Sequence, residues 1–322
     1  MRVLVLGSSN PWRMECATAR ALRRAGHTVE VLDDRRIKRA VGRTLTQHWV
    51  TARARRFRPD FVMLSKCLAL DLETVARIVD GVPNAMWYHD PQWFRDTARP
   101  DIAHIAAVGR IAATFFVTGF ESEWRALGLN ARFLPAAGDA AIVPVRFEER
   151  YASDAAFIGT GYDEKRGELL VRLARELDVR VYGPGWERWS PPLRWNGRAI
   201  EGDEFARVCS SARATLGILP ARAAGGAGYT SDRAWMVILA GGFYVAEAGP
   251  GITAFLRDGE HCAWFQSAEE CAALLRYYSA RTGERDRIRA SGERFVRAHH
   301  TYDQRIHHLL TGEPWVNPLG SD

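Results

Sequence analysis

The sequence predicts an α/β protein: two facing, doubly wound domains, each a parallel sheet covered by helices, with a cleft between them. Three observations predict it. The chain has 322 residues, and at about 150 residues per domain that is room for two. A strand, a Gly-containing turn and a helix open the chain, and the same series restarts near residue 155. Between the two lies a loop-like and then charged stretch, Pro135 to Asp154.

Each element has a local reason. Met1 to Leu6 is rich in branched apolar residues and reads as a buried strand. Gly7-Ser8-Ser9-Asn10-Pro11 is a turn, and Met14 to Ala25 a helix stopped by Gly26. Val29 to Leu32 is the next strand, closed by Asp33-Asp34. This βαβ opening implies parallel strands with right-handed crossovers. Phe61 to Leu64 is a third strand, and Asp71 to Asp80 a helix that Asp71 is able to cap. Asn84 to Tyr88 is a fourth strand, ending at His89-Asp90-Pro91. Ala113 to Val117 is a fifth, Phe120 to Leu127 a short helix, and Ala131 to Leu134 a sixth strand.

The second series runs in the same way. Ala155 to Ile158 is a strand, Gly159-Thr160-Gly161 a turn and Glu164 to Leu177 a helix. Val179 to Tyr182 is a strand ended by Gly183-Pro184-Gly185. Glu204 to Ser211 is a helix and Ala214 to Ile218 a strand, followed by a Gly/Ala-rich loop, Ala221 to Gly228. Ser231 to Leu239 is a helix ending at Gly241-Gly242, and Phe243 to Ala246 a strand. From Ala268 onward the chain reads as helical. We therefore expect Rossmann-like domains at 1–145 and 146–300, with a helical tail, 301–322, packing back on the first. Ligands of such sheets bind beyond the carboxyl ends of the strands.

Composition narrows the class. The chain is 47% hydrophobic and 25% charged, as ordinary globular domains are. Its five cysteines (Cys16, Cys67, Cys209, Cys262, Cys271) are scattered, with no C-x-x-C pair, which argues for a reducing, cytoplasmic setting and against a zinc ribbon or a disulfide frame. No signal peptide is visible, and the longest apolar stretch, Ile102 to Val117, is interrupted by Arg110. The net charge of +6 favours an anionic partner without naming it.

Four segments carry chemistry. Gly7-Ser8-Ser9-Asn10 lacks the second Gly of a dinucleotide fingerprint, though Asp33 stands where a ribose-binding acid would. Gly7 and Ser8 are retained as candidate ligand contacts beside the plainer reading of a tight turn. In Gly159-Thr160-Gly161-Tyr162-Asp163-Glu164-Lys165-Arg166, two cations occupy the first turn of a helix, against the macrodipole. Such a violation is expected where an anion binds, so Gly159, Lys165 and Arg166 are candidate phosphate contacts. Arg166→Ala should then lose donor affinity at little cost in stability. Tyr182-Gly183-Pro184-Gly185-Trp186 reads either as a plain turn or as a pocket in which Tyr182 or Trp186 stacks on a base over Gly183. Gly228-Tyr229-Thr230-Ser231-Asp232-Arg233 leads a Gly-rich loop into a capped helix, with Arg233 in its first turn, again suited to an anion.

Read as an ordered set, the second half is similar to a known family. Arg233 to Phe243, Glu247-x-x-Pro250-Gly251, Asp258-Gly259-Glu260, His300-Thr301-Tyr302-x-x-Arg305 and Phe157-Ile158-Gly159-x-x-Tyr162-x-x-Lys165-Arg166 resemble the CgeB-like (spore maturation protein) glycosyltransferases, relatives of the group-1 (family 4) enzymes. The resemblance covers about residues 155 to 306, with a looser likeness at Trp87-Tyr88-His89-Asp90-Pro91 and Phe133-Leu134-Pro135. It implies the GT-B fold, an acceptor-side first domain and a donor-side second one. It also implies a nucleotide-diphosphate-sugar donor, no tightly bound cofactor, no essential metal and retention of anomeric configuration. One feature departs from the pattern. The group-1 Glu pair that touches the donor falls on Tyr229 and Val237, so Tyr229, Thr230, Ser231, Asp232 and Arg233 become the candidate donor contacts there. In the first domain His89 is a candidate sugar contact, and Asp90 a candidate base or orienting group.

Two further patterns stand apart. Ile37, Val41, Leu45 and Trp49 recur every fourth residue among Arg35, Arg36, Lys38, Arg39 and Arg43, with Arg53, Arg55, Arg56 and Arg58 following. This basic amphipathic helix is either a solvated face packed on its domain or a contact for anionic lipid or a polyanionic acceptor, peripheral to a membrane. His299, His300, His307 and His308 lack ligand-like partners for a metal. Beside glycosyl transfer stand two rivals, a non-catalytic nucleotide- or polyanion-binding protein and a dinucleotide-dependent oxidoreductase.

Overall fold

The computed structural model describes residues 1–90, 99–221 and 228–320. The chain divides into two compact units: Met1–Asp139 with Tyr302–Val316, and Ala140–Thr301 with Asn317–Asp322.

In the first unit, β1 (Arg2–Leu6), β2 (Thr28–Leu32), β3 (Phe61–Leu64), β4 (Asn84–Tyr88), β5 (Phe115–Val117) and β6 (Ala131–Phe133) form one sheet. Its order is β2-β1-β3-β4-β5-β6, and every pairing is parallel. Val3, Leu4, Val5 and Leu6 are all fully buried, as a central strand covered on both faces requires. The crossover helices are α1 (Met14–Arg24), α2 (Asp34–Phe57), α3 (Leu72–Val79), α4 (Pro100–Ile111) and α5 (Glu121–Ala126). Order reverses between β1 and β3, so Gly7 and Ser65, at the ends of those strands, flank the switch point.

Several local expectations change. Ile102 to Val117 is not one apolar segment: Pro100 opens α4, which runs to Ile111 and buries Ile102, Ile105 and Val108, and β5 follows. Asp71 stands at the N-cap of α3 without a capping bond, because Arg43 takes its carboxylate. Asp33 does cap α2, through Oδ1 to the Arg36 amide at 2.8 Å. Its Oδ2 accepts from the Ser9 amide at 2.8 Å and the Ser9 hydroxyl at 3.1 Å. Burial pushes the Asp33 pKa up, but these bonds outweigh it and hold the carboxylate below its ordinary range. Both oxygens are thus spent on the turn, and none is presented to a ribose.

In the second unit, β7 (Ala155–Ile158), β8 (Val179–Tyr182), β9 (Arg194–Trp195), β10 (Thr215–Gly217), β11 (Tyr244–Glu247) and β12 (Ala263–Phe265) form a second parallel sheet. Its order is β12-β11-β10-β7-β8-β9, which places the switch point between β7 and β10. The helices are α6 (Glu164–Leu173), α7 (Gly202–Ser211), α8 (Asp232–Leu239), α9 (Pro250–Phe255), α10 (Ala268–Ala280) and α11 (Thr282–His299). The chain then re-enters the first unit as α12 (Tyr302–Thr311), which lies against α1. Arg305, fully buried there, donates from Nε to the Pro135 carbonyl at 3.2 Å, and burial pushes its pKa down to about 9. No described helix is long and apolar enough to cross a membrane.

Helix α6 stops at Leu173, four residues before its expected end. The following amides turn to i−3 carbonyls, Arg175 to Arg172 and Glu176 to Leu173, the tightened final turn common at helix ends. Strands β9 and β12 carry no alternation long enough to read from sequence, at two and three residues.

Candidate functional site

The strongest constellation lies in the second unit, at the carboxyl ends of β7, β10 and β11. Helix α6 follows β7, and its N-cap Asp163 accepts from the Arg166 amide at 3.2 Å and the Ala221 amide at 3.0 Å. Helix α8 starts just past the loop after β10; its N-cap Ser231 accepts from the Arg233 amide at 3.4 Å. Two helix N-termini therefore open beside the switch point, where dipoles favour an anion.

Three cations gather there. The Arg233 guanidinium lies 4.8 Å from the centroid of the Phe157 ring, against Gly159. A Cβ at Gly159 would stand 2.7 Å from Arg233 Nη2, so only Gly lets the guanidinium come this close. Arg233 forms no ion pair among the described residues. Lys165 pairs with Glu247 at 2.6 Å, from Nζ to Oε1. Arg166 is buried, its Nε donating to the Ile218 carbonyl at 3.0 Å and its guanidinium 5.5 Å from the same Phe157 ring. Arg166 therefore ties α6 to β10 as well as adding charge. Burial overturns the expectation that Arg166→Ala is cheap. We expect that variant to lose about 2 kcal/mol, because the Ile218 carbonyl is left buried without its donor, read as a lower midpoint in urea unfolding.

Glu247 was not singled out for a role by sequence reasoning. Its Oε2 is shut off from solvent and has no hydrogen-bond partner among the described residues. Thr230 Oγ1 is in the same condition. The two are close in the fold: the start of α9, three residues beyond Glu247, lies on Tyr229 and Thr230, and a Cβ at Gly251 would come within 2.9 Å of Thr230 Oγ1. Buried acceptors without donors are costly, so a pair of them beside a cationic cluster marks a place for ligand hydroxyls. Its sequence signal was its place in Glu247-x-x-Pro250-Gly251, one of the motifs that carry the family resemblance, with no role attached to the carboxylate. Tyr229 and Asp232 flank this point; residues 222–227 of the Gly/Ala-rich loop lie outside the described residues.

The two Gly turns are packed on one another. The Gly159 amide donates to the Tyr182 carbonyl at 2.8 Å and the Gly161 amide to the Pro184 carbonyl at 2.9 Å. Three indoles hold their carbonyls: Trp186 on Gly159 at 2.9 Å, Trp189 on Gly161 at 3.0 Å and Trp195 on Gly183 at 2.7 Å. The amide of Gly159 is consequently not free for a phosphate. Tyr182 and Trp186 are buried, and burial pushes the Tyr182 hydroxyl pKa up, with Arg180 opposing it. Neither ring is an open stacking platform. The exposed ring here is Tyr162, 70% accessible and seated on Gly185.

The first unit has its own cluster at the ends of β1, β3 and β4. The Gly7 amide donates to the Leu32 carbonyl at 3.0 Å, and a Cβ at Gly7 would meet Glu15 Cγ at 2.7 Å and Ser65 Cβ at 2.8 Å. Ser8 Oγ accepts from the Asn10 amide at 3.2 Å, so both residues serve the turn. Next to Ser65, Lys66 forms an ion pair with Asp90, a partner the sequence did not suggest. Thr118 Oγ1 donates to the His89 carbonyl at 3.1 Å. The His89 ring stands edge-on to Trp87 at 4.5 Å and parallel to Tyr302 at 6.3 Å. Neither ring nitrogen has a partner among the described residues. Pro91, the last residue of the His-Asp-Pro segment, lies outside them.

Burial pushes the His89 pKa down to about 3, with Asp90 pulling it up and Lys66 pushing it down. His89 is neutral at pH 7, able to donate from one nitrogen and accept at the other. In the unfolded chain it titrates near its ordinary value of 6.5. As pH falls below that value the unfolded state takes up the proton first, so stability is lost between about pH 6.5 and pH 3, with about 2 kcal/mol gone by pH 5. His89→Gln cannot titrate; its melting temperature should fall less than that of the wild type between pH 7 and pH 5.

The His-rich terminus divides. His300 is buried in the second unit, stacked 4.3 Å from Trp235 at 3°, and His307 pairs with Glu313 in the first. Among the described residues no three His, Cys, Asp or Glu side chains group as a metal set.

Comparison with known proteins bears on the fold. Solved structures similar to this chain include Anabaena Alr3699/HepE in complex with UDP-glucose, with TM-score 0.68, 12% identity, and 97% of this chain and 100% of that one covered. A sucrose-phosphate synthase from Thermosynechococcus elongatus gives TM-score 0.66 at 11% identity over 96% of this chain and 98% of that one. T4 phage BGT in complex with UDP-glucose gives 0.60 at 10%, over 97% and 100%. The chain has the GT-B glycosyltransferase fold. Residues 165–311 match the family described as glycosyl transferase-like, a span that starts at Lys165 and includes Arg233, Glu247 and Arg305. No curated protein sequence matches the chain.

Proposed function

We propose that this protein transfers a sugar from a UDP-sugar to an acceptor, with the donor held by the second unit. The observation that carries the reading is the gathering of Lys165, Arg166 and Arg233 around the β7–β10 switch point, beside the starts of α6 and α8, with Lys165 paired to Glu247. Bond cleavage leaves charge on the departing diphosphate. Lys165, Arg233 and the amides at the starts of α6 and α8 stabilise that charge in place of a metal, so chelator leaves the rate unchanged. Tyr162 offers its exposed ring to the base. Glu247 Oε2, Thr230 Oγ1 and Asp232 accept from ribose and sugar hydroxyls, the task of the Glu pair whose places hold Tyr229 and Val237.

Uridine is the base we favour, because two solved proteins of this fold carry UDP-glucose. The ordered motifs of the second half favour a CgeB-like enzyme that retains anomeric configuration. In the first unit, Asp90, paired with Lys66, is the candidate base, and neutral His89 is a candidate sugar contact. The five cysteines, all free thiols, fit a cytoplasmic enzyme.

A panel of nucleotide sugars, read by thermal shift and by release of nucleoside diphosphate, tests this. We expect UDP-sugars to raise the melting temperature and to be slowly hydrolysed without acceptor. If no nucleotide sugar binds or is consumed, the reading is lost. Tight binding without turnover under any acceptor selects the non-catalytic rival.

A further inference from the structure

Helix α2 carries a face that neither the fold nor sugar transfer uses. Val41, Leu45 and Trp49 are 40%, 59% and 47% exposed, although their fourfold spacing reads as a packing stripe. The reason is Gly42, whose φ of 80° breaks the helix. Beyond the break the core takes Thr46, Val50, Ala54 and Phe57, one position out of step with Leu45 and Trp49. At 100° per residue, Leu45, Trp49, Ala52 and Arg56 fall in a sector about 60° wide, turned away from that core. Leu72, which follows the Asp71 gripped by Arg43, is exposed on the neighbouring α3.

Cations frame the stripe. Arg35, Arg36, Lys38 and Arg39 precede the break, and Arg55 and Arg56 close the helix; all six are exposed, and none is in an ion pair among the described residues. The one acid of the helix, Asp34, is buried and accepts from the Ala69 amide at 2.8 Å. A solvated face gains nothing from three large apolar side chains. A polyanion in solution is met by the cations alone and leaves Leu45 in water. A bilayer boundary takes both, Trp and Leu at headgroup level and cations on the phosphates.

We propose that α2 docks this protein on an anionic lipid surface, with Leu45 and Trp49 in the interfacial layer and the flanking Arg and Lys side chains on lipid phosphates. The contact is peripheral and reversible, since one short apolar stripe and a handful of cations do not anchor a chain.

Co-sedimentation of the full-length protein with phosphatidylcholine vesicles, with and without phosphatidylglycerol, tests it at low and high salt. The wild type should bind only the anionic vesicles and release them as salt rises. R36A/K38A/R39A should weaken binding roughly a hundredfold, at about fivefold per cation, and L45S/W49S roughly tenfold or more through lost apolar burial. Both variants alter exposed residues, so thermal unfolding matching the wild type confirms that they fold. The proposal is overturned if the wild type ignores anionic vesicles, if L45S/W49S binds them as well as the wild type, or if single-stranded or duplex DNA is captured in their place.

Discussion

Replacing Arg233 with Ala is expected to cut kcat/KM for the donor by about 10²–10³, the usual loss when one preorganised donor to developing negative charge is removed. The side chain lies on Gly159 and over Phe157, at the mouth of the β7–β10 switch point. It also acts on its surroundings: burial pushes the Tyr244 hydroxyl pKa well up, and Arg233 opposes that push. Its structural contribution is small, about 0.5–1 kcal/mol from the ring contact at a partly exposed site. Activity should therefore collapse while the melting temperature moves only slightly. Arg233→Lys, which keeps the charge and loses the planar fork, should recover part of the rate. Steady-state donor hydrolysis beside thermal unfolding separates the two effects; a variant with unchanged kcat/KM removes Arg233 from the site.

The largest stability effect should come from Gly183→Ala. Gly183 has φ of 130°, a region closed to side chains, and an added Cβ would collide with the Gly159 carbonyl oxygen. That oxygen also accepts from the Trp186 indole at 2.9 Å, so the turn cannot move aside without losing a buried bond. Strain, the collision and the lost bond together should cost about 3 kcal/mol or more. Since the two Gly turns hold each other, the damage should reach the start of α6 and weaken donor binding as well. Urea unfolding of the variant, with donor affinity measured under folding conditions, checks both parts.

Much of this was legible in the residues. Alternation of branched apolar runs with Gly-stopped helices placed ten of the strands, because buried parallel strands and C-terminal glycines leave local marks. Lys165 and Arg233 stood out since cations at helix starts oppose the dipole. What sequence left unread depends on packing. Arg166 has the same local signature as Lys165, yet one turns inward to the Ile218 carbonyl and the other outward to Glu247. Tyr182 and Trp186 looked like stacking rings, but the three indoles that clamp the Gly carbonyls bury the turn and leave Tyr162 as the open ring. Gly42 shifted the packed face of α2 by one residue, which a fourfold recurrence cannot reveal. Glu247 Oε2 is notable only for a missing partner, a property that exists only once the chain is folded.

The most direct test of the central claim, that the second unit holds the donor, is hydrogen–deuterium exchange with and without UDP. Protection is expected at peptides covering residues 159–166 and 229–247, with the first sheet little changed. Protection confined to peptides around Gly7 and His89, or no protection at UDP concentrations that raise the melting temperature, would contradict it.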